Sequence, residues 1–274
     1  MTTQLTPALL ASILIGAAAY RRGSLSRSGV IGAVVVGTLT AGLGGWSWGL
    51  LLGLFFLTSS LLSHFRETEK QLVAEKFDKS HRRDFGQAMA NGGVGALIAL
   101  LNVLYPSPLW FPLFLGVMAT VNADTWATEL GTLSKGRPRL ITNGRPVPVG
   151  TSGGVSPLGT AASFGGGLLI GLAAGLLQRG RRAWHLALIG GLAGLAGSLF
   201  DSLLGATVQQ IYYCDYCKKD TERRIHKCGQ PTRPLRGWSW LNNDLVNLFA
   251  SLIGGLVGVS LWVFLRRNER CSER

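Results

Sequence analysis

The sequence predicts an all-α, polytopic membrane helix bundle of about eight spans, and three observations carry that reading. Only 15% of the 274 residues are charged, where a soluble domain carries about 25%. Apolar runs of spanning length recur along the whole chain, separated by short polar connections. Glycine is abundant, at 38 residues, which suits close helix contact where lipid gives helices no hydrophobic reason to associate. Several spans are short or glycine-rich, which leaves room for broken or re-entrant elements. A single integral membrane domain, 1–274, accommodates them, with 212–240 as its longest polar loop.

The first span, 5–20, lacks the basic n-region of a signal peptide. Its positive charges, Arg21, Arg22 and Arg27, follow it, so it reads as a retained helix with its N-terminus outside. Spans two and three, 30–45 and 46–63, are divided only by Gly44-Gly45. A charged, helix-prone loop, 64–84, precedes span four, 85–104, which the turn Tyr105-Pro106-Ser107-Pro108 closes. Span five is 109–130. A loop rich in Gly, Pro and Arg, 133–155, leads to span six, 157–177, and span seven, 183–209. Span eight, 241–265, ends in a short charged tail. No fixed-period repeat appears. Gly167, Gly171 and Gly175, and Gly190 and Gly194, have the small-xxx-small spacing of helix–helix contacts.

The formal net charge of +13 fits a membrane protein better than a nucleic-acid binder. The loops after spans one, three, five and seven hold 3, 6, 4 and 7 of the 27 Lys and Arg residues. These loops are expected in the cytoplasm, beside anionic lipid. No aromatic-interleaved basic patch argues for nucleic acid.

With that orientation, the unusual polar residues converge on the cytoplasmic side. The stretch Asn122-Ala123-Asp124-Thr125-Trp126-Ala127-Thr128-Glu129-Leu130-Gly131 puts two carboxylates within the depth of span five. Each costs roughly 2.5–3.5 kcal/mol at a helix centre on insertion scales. Asp84, Gln87 and Asn91 share one face of span four, and Asn122, Thr125 and Glu129 one face of span five. Asp201 lies in the second half of span seven, and Asn243, Asp244 and Asn247 open span eight. Asp124 and Glu129, five apart, point roughly 140° from each other on a regular helix, towards two neighbours or across a local break. Single amides such as Asn91 commonly act as interhelical glue. Four intramembrane acids, Asp124, Glu129, Asp201 and Asp244, with no intramembrane Lys or Arg beside them, call for a cation. Mg²⁺ suits them, since it takes a few carboxylates and completes its shell with water and phosphate.

The loop after span five supplies the opposite charge. Lys135, Arg139 and Arg145 are basic, and Thr151-Ser152-Gly153-Gly154 runs into the start of span six. Glycines let backbone approach an anion, and a helix N-terminus offers free N–H groups. An ordinary turn and helix cap explains the same residues. Neither a Walker A loop nor a protein-kinase signature set is present. Together the parts predict phosphoryl transfer at the membrane surface, chemistry that is mostly positioning and charge neutralisation.

Cys214-x2-Cys217 followed by His226-x-Cys228 offers four zinc ligands in the loop 212–240. The first pair has standard spacing and the second is tight. Zn²⁺ there would be structural. Unliganded cysteines and redox use are the alternatives, and a disulfide is not expected among cytoplasmic thiols.

Several blocks resemble the transmembrane protein 19-like family of membrane proteins. They are 122–131, Pro138-Arg139-Leu140-Ile141-Thr142, 147–155, 87–95, 197–207 and 240–247. The family includes the plant phytyl-phosphate kinase. The resemblance therefore implies a prenyl-phosphate kinase that transfers a phosphoryl group from a nucleoside triphosphate, CTP foremost, to an isoprenoid alcohol monophosphate such as phytyl phosphate.

The resulting expectation is an integral-membrane kinase with its active site facing the cytoplasm. Asp124, Glu129, Asp201 and Asp244 hold Mg²⁺ or orient the acceptor phosphate. Lys135, Arg139 and Arg145 neutralise the transferred charge, and Thr151, Ser152, Gly153 and Gly154 cradle phosphate. Gln87, Asn91, Asn122, Thr125, Asn243 and Asn247 line the pocket. Partners are the bilayer, the prenyl phosphate and the nucleotide. The rival readings are an ion-coupled transporter, which would carry polar residues through to the outer face, and a cytidylyltransferase acting on a lipid phosphate.

Overall fold

Local signals set the helix ends of the computed structural model, which describes residues 4–67, 69–70, 82–178 and 183–272. Eight α-helices occur among these residues: α1 (Leu5–Arg21), α2 (Arg27–Gly44), α3 (Trp46–His64), α4 (Phe85–Leu104), α5 (Trp110–Gly131), α6 (Pro157–Leu177), α7 (Ala183–Thr207) and α8 (Asn243–Ser272). The Ser26 hydroxyl accepts from the N–H of Gly29 and starts α2. Asp84 and Gln87 form a reciprocal capping box on α4. Ser156 caps α6, with Pro157 at its first position. Between α2 and α3, Gly45 turns the chain at φ 91°, a conformation that favours glycine.

Six helices, α2, α3, α4, α6, α7 and α8, are long and apolar enough to cross a membrane. α1 is a shorter apolar helix of 17 residues. α5 has 22 residues and is less apolar than the six, yet it is the innermost helix. It packs against α3, α4, α6, α7 and α8, and every residue from Phe114 to Ala123 is buried. Its polar groups thus face protein rather than lipid, which removes most of the cost of carrying them.

Small residues allow the close approaches. Gly167, Gly171 and Gly175 of α6 lie against the backbone of Gly190, Leu186 and Ala183 of α7; a Cβ on Gly175 would sit 2.6 Å from the Ala183 carbonyl oxygen. On α8, Gly254 packs against Thr120 and Gly258 against Pro112 and Gly116 of α5. The apolar core fills one half of the bundle. Trp48 stacks on Phe114 with ring centroids 4.3 Å apart, among Leu51, Phe55, Ile98, Met118, Ile170 and Ile189.

In the other half, the C-terminal ends of α3, α5 and α7 meet the N-terminal ends of α4, α6 and α8 around one cavity. Two small sheets cover this end. β1 (Arg139–Leu140) pairs antiparallel with β2 (Gly154–Val155) in the α5–α6 connection. Between α7 and α8, β3 (Ile211–Cys214), β4 (Lys219–Thr221) and β5 (Arg233–Arg236) form an antiparallel sheet in the order β4-β3-β5. The polar segment expected as a plain loop therefore has a folded centre.

Candidate active site

The cavity measures about 400 Å³, within the range of small-ligand sites. α5 remains helical through Asp124 and Glu129, so the two carboxylates face different neighbours, one of the two arrangements the spacing allows. Asp124 accepts from the Ser198 hydroxyl of α7 at 3.3 Å. Glu129 turns towards α3, accepting from Ser63 at 2.6 Å and pairing with Lys70 at 2.6 Å. Both carboxylates still line the same cavity.

Asp201 enters from α7, and one of its oxygens, Oδ2, is buried without a hydrogen-bond partner among the described residues. A third acid, Glu222, comes from the end of β4. It accepts from Gln209 at 2.8 Å and from Ser152 at 3.1 Å. The Asp124 and Glu222 carboxylates both lie close enough to Asp201 to repel its charge. Asp124, Asp201 and Glu222 therefore form an acidic wall. Among the described residues these acids do not converge on one ion-sized point.

Cations line the same cavity. Lys70 is only 5% exposed and also donates to the carbonyl of Leu62. Arg83 lies ahead of α4, between Phe55 and Phe56, with its guanidinium 5.7 Å from each ring centroid. Its backbone is tied to the α1–α2 connection by bonds to Ser24 and Ser26, both 3.0 Å. Burial pulls its guanidinium down to about 10, with the Glu129 carboxylate opposing, so it remains a cation at neutral pH. Arg223 and Lys227 of the α7–α8 segment complete the basic lining.

The glycine-rich loop forms a rim. Thr151, Ser152, Gly153 and Gly154 all line the cavity. Gly153 has φ +85°, and a Cβ there would lie 2.5 Å from the backbone nitrogen of Ala206. This glycine lets the loop seat directly on the end of α7. Ser156, Gly159, Thr160 and Ser163 bring the first turns of α6 to the same space. The Ser163 hydroxyl is buried without a partner among the described residues.

Of the expected pocket residues, Gln87, Asn91, Thr125, Asn243 and Asn247 line the cavity. Asn122 does not. It accepts from Thr58 at 2.9 Å and donates to the Gly166 carbonyl at 2.7 Å, tying α5 to α3 and α6. Asp244 also stands outside the lining. It occupies the first turn of α8, where a carboxylate complements the helix dipole.

The expected cations need correction. Lys135, Arg139 and Arg145 are exposed and outside the cavity. Pairing of β1 with β2 folds their loop outwards, and Arg139 donates to the Gly144 carbonyl at 2.9 Å. Lys70 and Arg83 line the cavity instead. They belong to the charged, helix-prone segment 64–84, of which residues 68 and 71–81 lie outside those described. The premise that the acids have no basic neighbour likewise fails for Glu129, which Lys70 neutralises. Ser198 stands three residues before Asp201 on one face of α7, a spacing that could have found it; Gln209 and Glu222 lie beyond the helix and had no such pattern.

Cys214, Cys217, His226 and Cys228 come together in the β3–β5 segment, with ligand atoms all within 4.8 Å of one another. The Cys228 thiol is drawn down to about 7 by a backbone hydrogen bond at Gln230 and then by His226. Cys217 is pushed up to about 11, its largest cause being its hydrogen bond with Cys228. Nothing is described of the Cys271 side chain.

Comparison with known proteins adds the family. The chain is 34% identical to Protein PGR of Arabidopsis thaliana, over 90% of this chain and 92% of that one. An uncharacterized membrane protein of Methanocaldococcus jannaschii is 32% identical, over 88% of this chain and 87% of its own. Protein VTE6, chloroplastic, of Arabidopsis thaliana is 27% identical over 89% of this chain and 67% of its own. No solved structure matches. The model of the integral membrane protein DUF92 family matches residues 10–255, as the sequence blocks implied, and the chain belongs to this family of integral membrane proteins.

Proposed function

We propose that the chain is a membrane kinase that transfers a phosphoryl group from a nucleoside triphosphate, CTP foremost, to an isoprenoid alcohol monophosphate such as phytyl phosphate. One observation carries the reading: Asp124, Asp201 and Glu222 line the same cavity as Lys70 and Arg83, at one end of an otherwise apolar bundle. The family resemblance in the sequence blocks points the same way.

The chemistry asks little of the protein beyond charge and position. An acceptor monophosphate is already largely dianionic at neutral pH, its second pKa being about 6. Its oxygen attacks the γ-phosphorus directly, the bond from that phosphorus to the β-phosphate oxygen breaks, and the nucleoside diphosphate leaves. No proton moves, so no general base is needed. That leaves the acids free to serve as metal holders. The partnerless Asp201 oxygen beside Asp124 fits a hydrated Mg²⁺, which needs only one or two carboxylates. When bound, Mg²⁺ supplies charge neutralisation for the phosphates. Asp124 and Asp201 would hold it, with Glu222 orienting. Lys70 and Arg83 balance the acceptor and transferred phosphates. The glycine-rich rim around Ser152 and Gly153, with the Ser163 hydroxyl, receives phosphate oxygens; the Thr151 and Gly154 N–H groups are already held within the loop. The prenyl chain lies in lipid or between helices, and the cavity side faces the cytoplasm.

The apolar core beneath the cavity, built on Trp48, Phe114, Met118 and their neighbours, supports an enzyme over an ion-coupled carrier. The test is purified protein with Mg²⁺, CTP and phytyl or geranylgeranyl monophosphate, with products resolved by mass. Prenyl diphosphate and CDP in equal amounts are expected. A nucleotide–lipid adduct would mean cytidylyl transfer. No diphosphate with any nucleotide across a range of prenyl phosphates would overturn the proposal.

A further inference from the structure

We propose that Cys214, Cys217, His226 and Cys228 bind one structural zinc ion that clamps the α7–α8 segment as a wall of the cavity. The inference stands on the geometry of this segment and is independent of the kinase reading. The Sγ atoms of Cys214 and Cys228 are 3.8 Å apart. That is far beyond the S–S bond of about 2.0 Å. It matches the edge of a tetrahedron with zinc–sulfur bonds of about 2.3 Å, which is about 3.8 Å. The Nδ1 atom of His226 lies 3.2 Å from the Cys228 sulfur, near the corresponding nitrogen–sulfur edge of about 3.5 Å.

The backbone is shaped for the ion as well. Cys214 ends β3, and the N–H of Cys217 points back to its sulfur at 3.5 Å. Lys218 follows in the left-handed region at φ 53°, an uncommon conformation for a side-chain-bearing residue, and it closes the Cys-x2-Cys turn tightly. On the second arm, the His226 N–H bonds the Gln230 carbonyl at 2.9 Å, and the Gly229 N–H returns to the His226 carbonyl at 2.8 Å. Gly229, at φ +82°, permits that turn. Cys214 and His226 are buried in a segment with little apolar core of its own, where a metal commonly replaces the missing core. Three thiolates and one imidazole select zinc, and four protein ligands leave no open position, so the ion does no chemistry.

The clamp has a target. Glu222 follows β4 directly and precedes His226 by four residues, with Arg223 and Lys227 on the same arm reaching the cavity. Fixing the two arms holds Glu222 where Ser152 and Gln209 donate to it.

The full-length protein, purified reduced and without chelator, is analysed by mass spectrometry for metals. About one zinc per chain is expected, with Cys217→Ser falling below a fifth of that. Three thiols should resist Ellman's reagent until a zinc chelator is added. The chelator should speed tryptic cleavage at Arg223, Arg224 or Lys227 at least tenfold. If Cys217→Ser does not fold, the wild-type metal count and thiol titration decide alone. Less than about a tenth of a zinc per chain, with all thiols reacting at once, overturns the site. So does iron in its place or a disulfide among these cysteines. Zinc present with unchanged proteolysis overturns its role as a clamp.

Discussion

The two halves of the bundle use the same helices for opposite ends. In one, Phe114, Leu115 and Met118 of α5 pack with Trp48, Leu51 and Phe55 of α3 with almost no exposure. In the other, the same α5 presents Asp124 and Glu129 to a cavity ringed by polar groups from α3, α4, α6, α7 and α8. The difference teaches what each half is for. The dry half holds helices together by shape, while the wet half spends burial on charges that packing alone does not require. Substitutions should therefore separate. Changes in the wet half should remove activity and leave folding, and changes in the dry half should do the reverse.

The sharpest break is at the acidic wall. Asp201→Asn and Asp124→Asn should each lower phosphoryl transfer on the order of 10²–10³-fold, the scale of losing one preorganised electrostatic partner. Detergent melting temperature should stay within a few degrees. Asp201→Asn is the cleaner variant, because its Oδ2 has no partner to lose. A melting point that collapses with the activity would assign these acids to structure.

Lys70 and Glu129 come next and lie on the border between the halves. Their side chains are 6% and 18% exposed. Lys70→Met strands a buried carboxylate and should cost about 3 kcal/mol, the lower end for breaking a buried pair. Adding Glu129→Gln should recover much of it. Thermal unfolding of the two singles and the double measures the coupling; additive losses would show that the pair does not interact.

In the dry half, Met118→Ala should cost about 2 kcal/mol through the cavity it leaves. Turnover per folded molecule should hold within about twofold in the same assay, since 1.4 kcal/mol of barrier would already be tenfold. The smallest effect belongs to the exposed loop. Lys135→Ala, Arg139→Ala and Arg145→Ala together should shift the KM for nucleotide less than about threefold, because these side chains lie outside the cavity. Arg83→Met should raise the same KM by tenfold or more.

Much of this contrast was legible in the sequence. Apolar run lengths located seven helices to within a few residues and the start of α8, which runs on to Ser272 through the charged tail expected after 265; three- and four-residue spacing placed Gln87, Asn91, Thr125 and Glu129 at the cavity. The depth of Asp124 and Asp201 within apolar runs marked them as costly before their surroundings were known. What did not show was which loop folds back. Two-residue strands carry no periodic signal, so nothing in 133–155 revealed that β1 and β2 would turn Arg139 and Arg145 outwards. Lys70 and Arg83 stood in the charged, helix-prone connection 64–84, where nothing set them apart from its other charges. Glu222 became part of the wall only through a sheet that packs the α7–α8 segment against the glycine-rich rim.

The claim that the wet half is where nucleotide binds is tested most directly by hydrogen exchange, with and without Mg²⁺ and a non-hydrolysable CTP analogue. Protection should appear in peptides covering 124–132, 149–160 and 198–209, and not in those covering 98–118. No protection anywhere at saturating analogue, or protection confined to the dry half, would contradict the account.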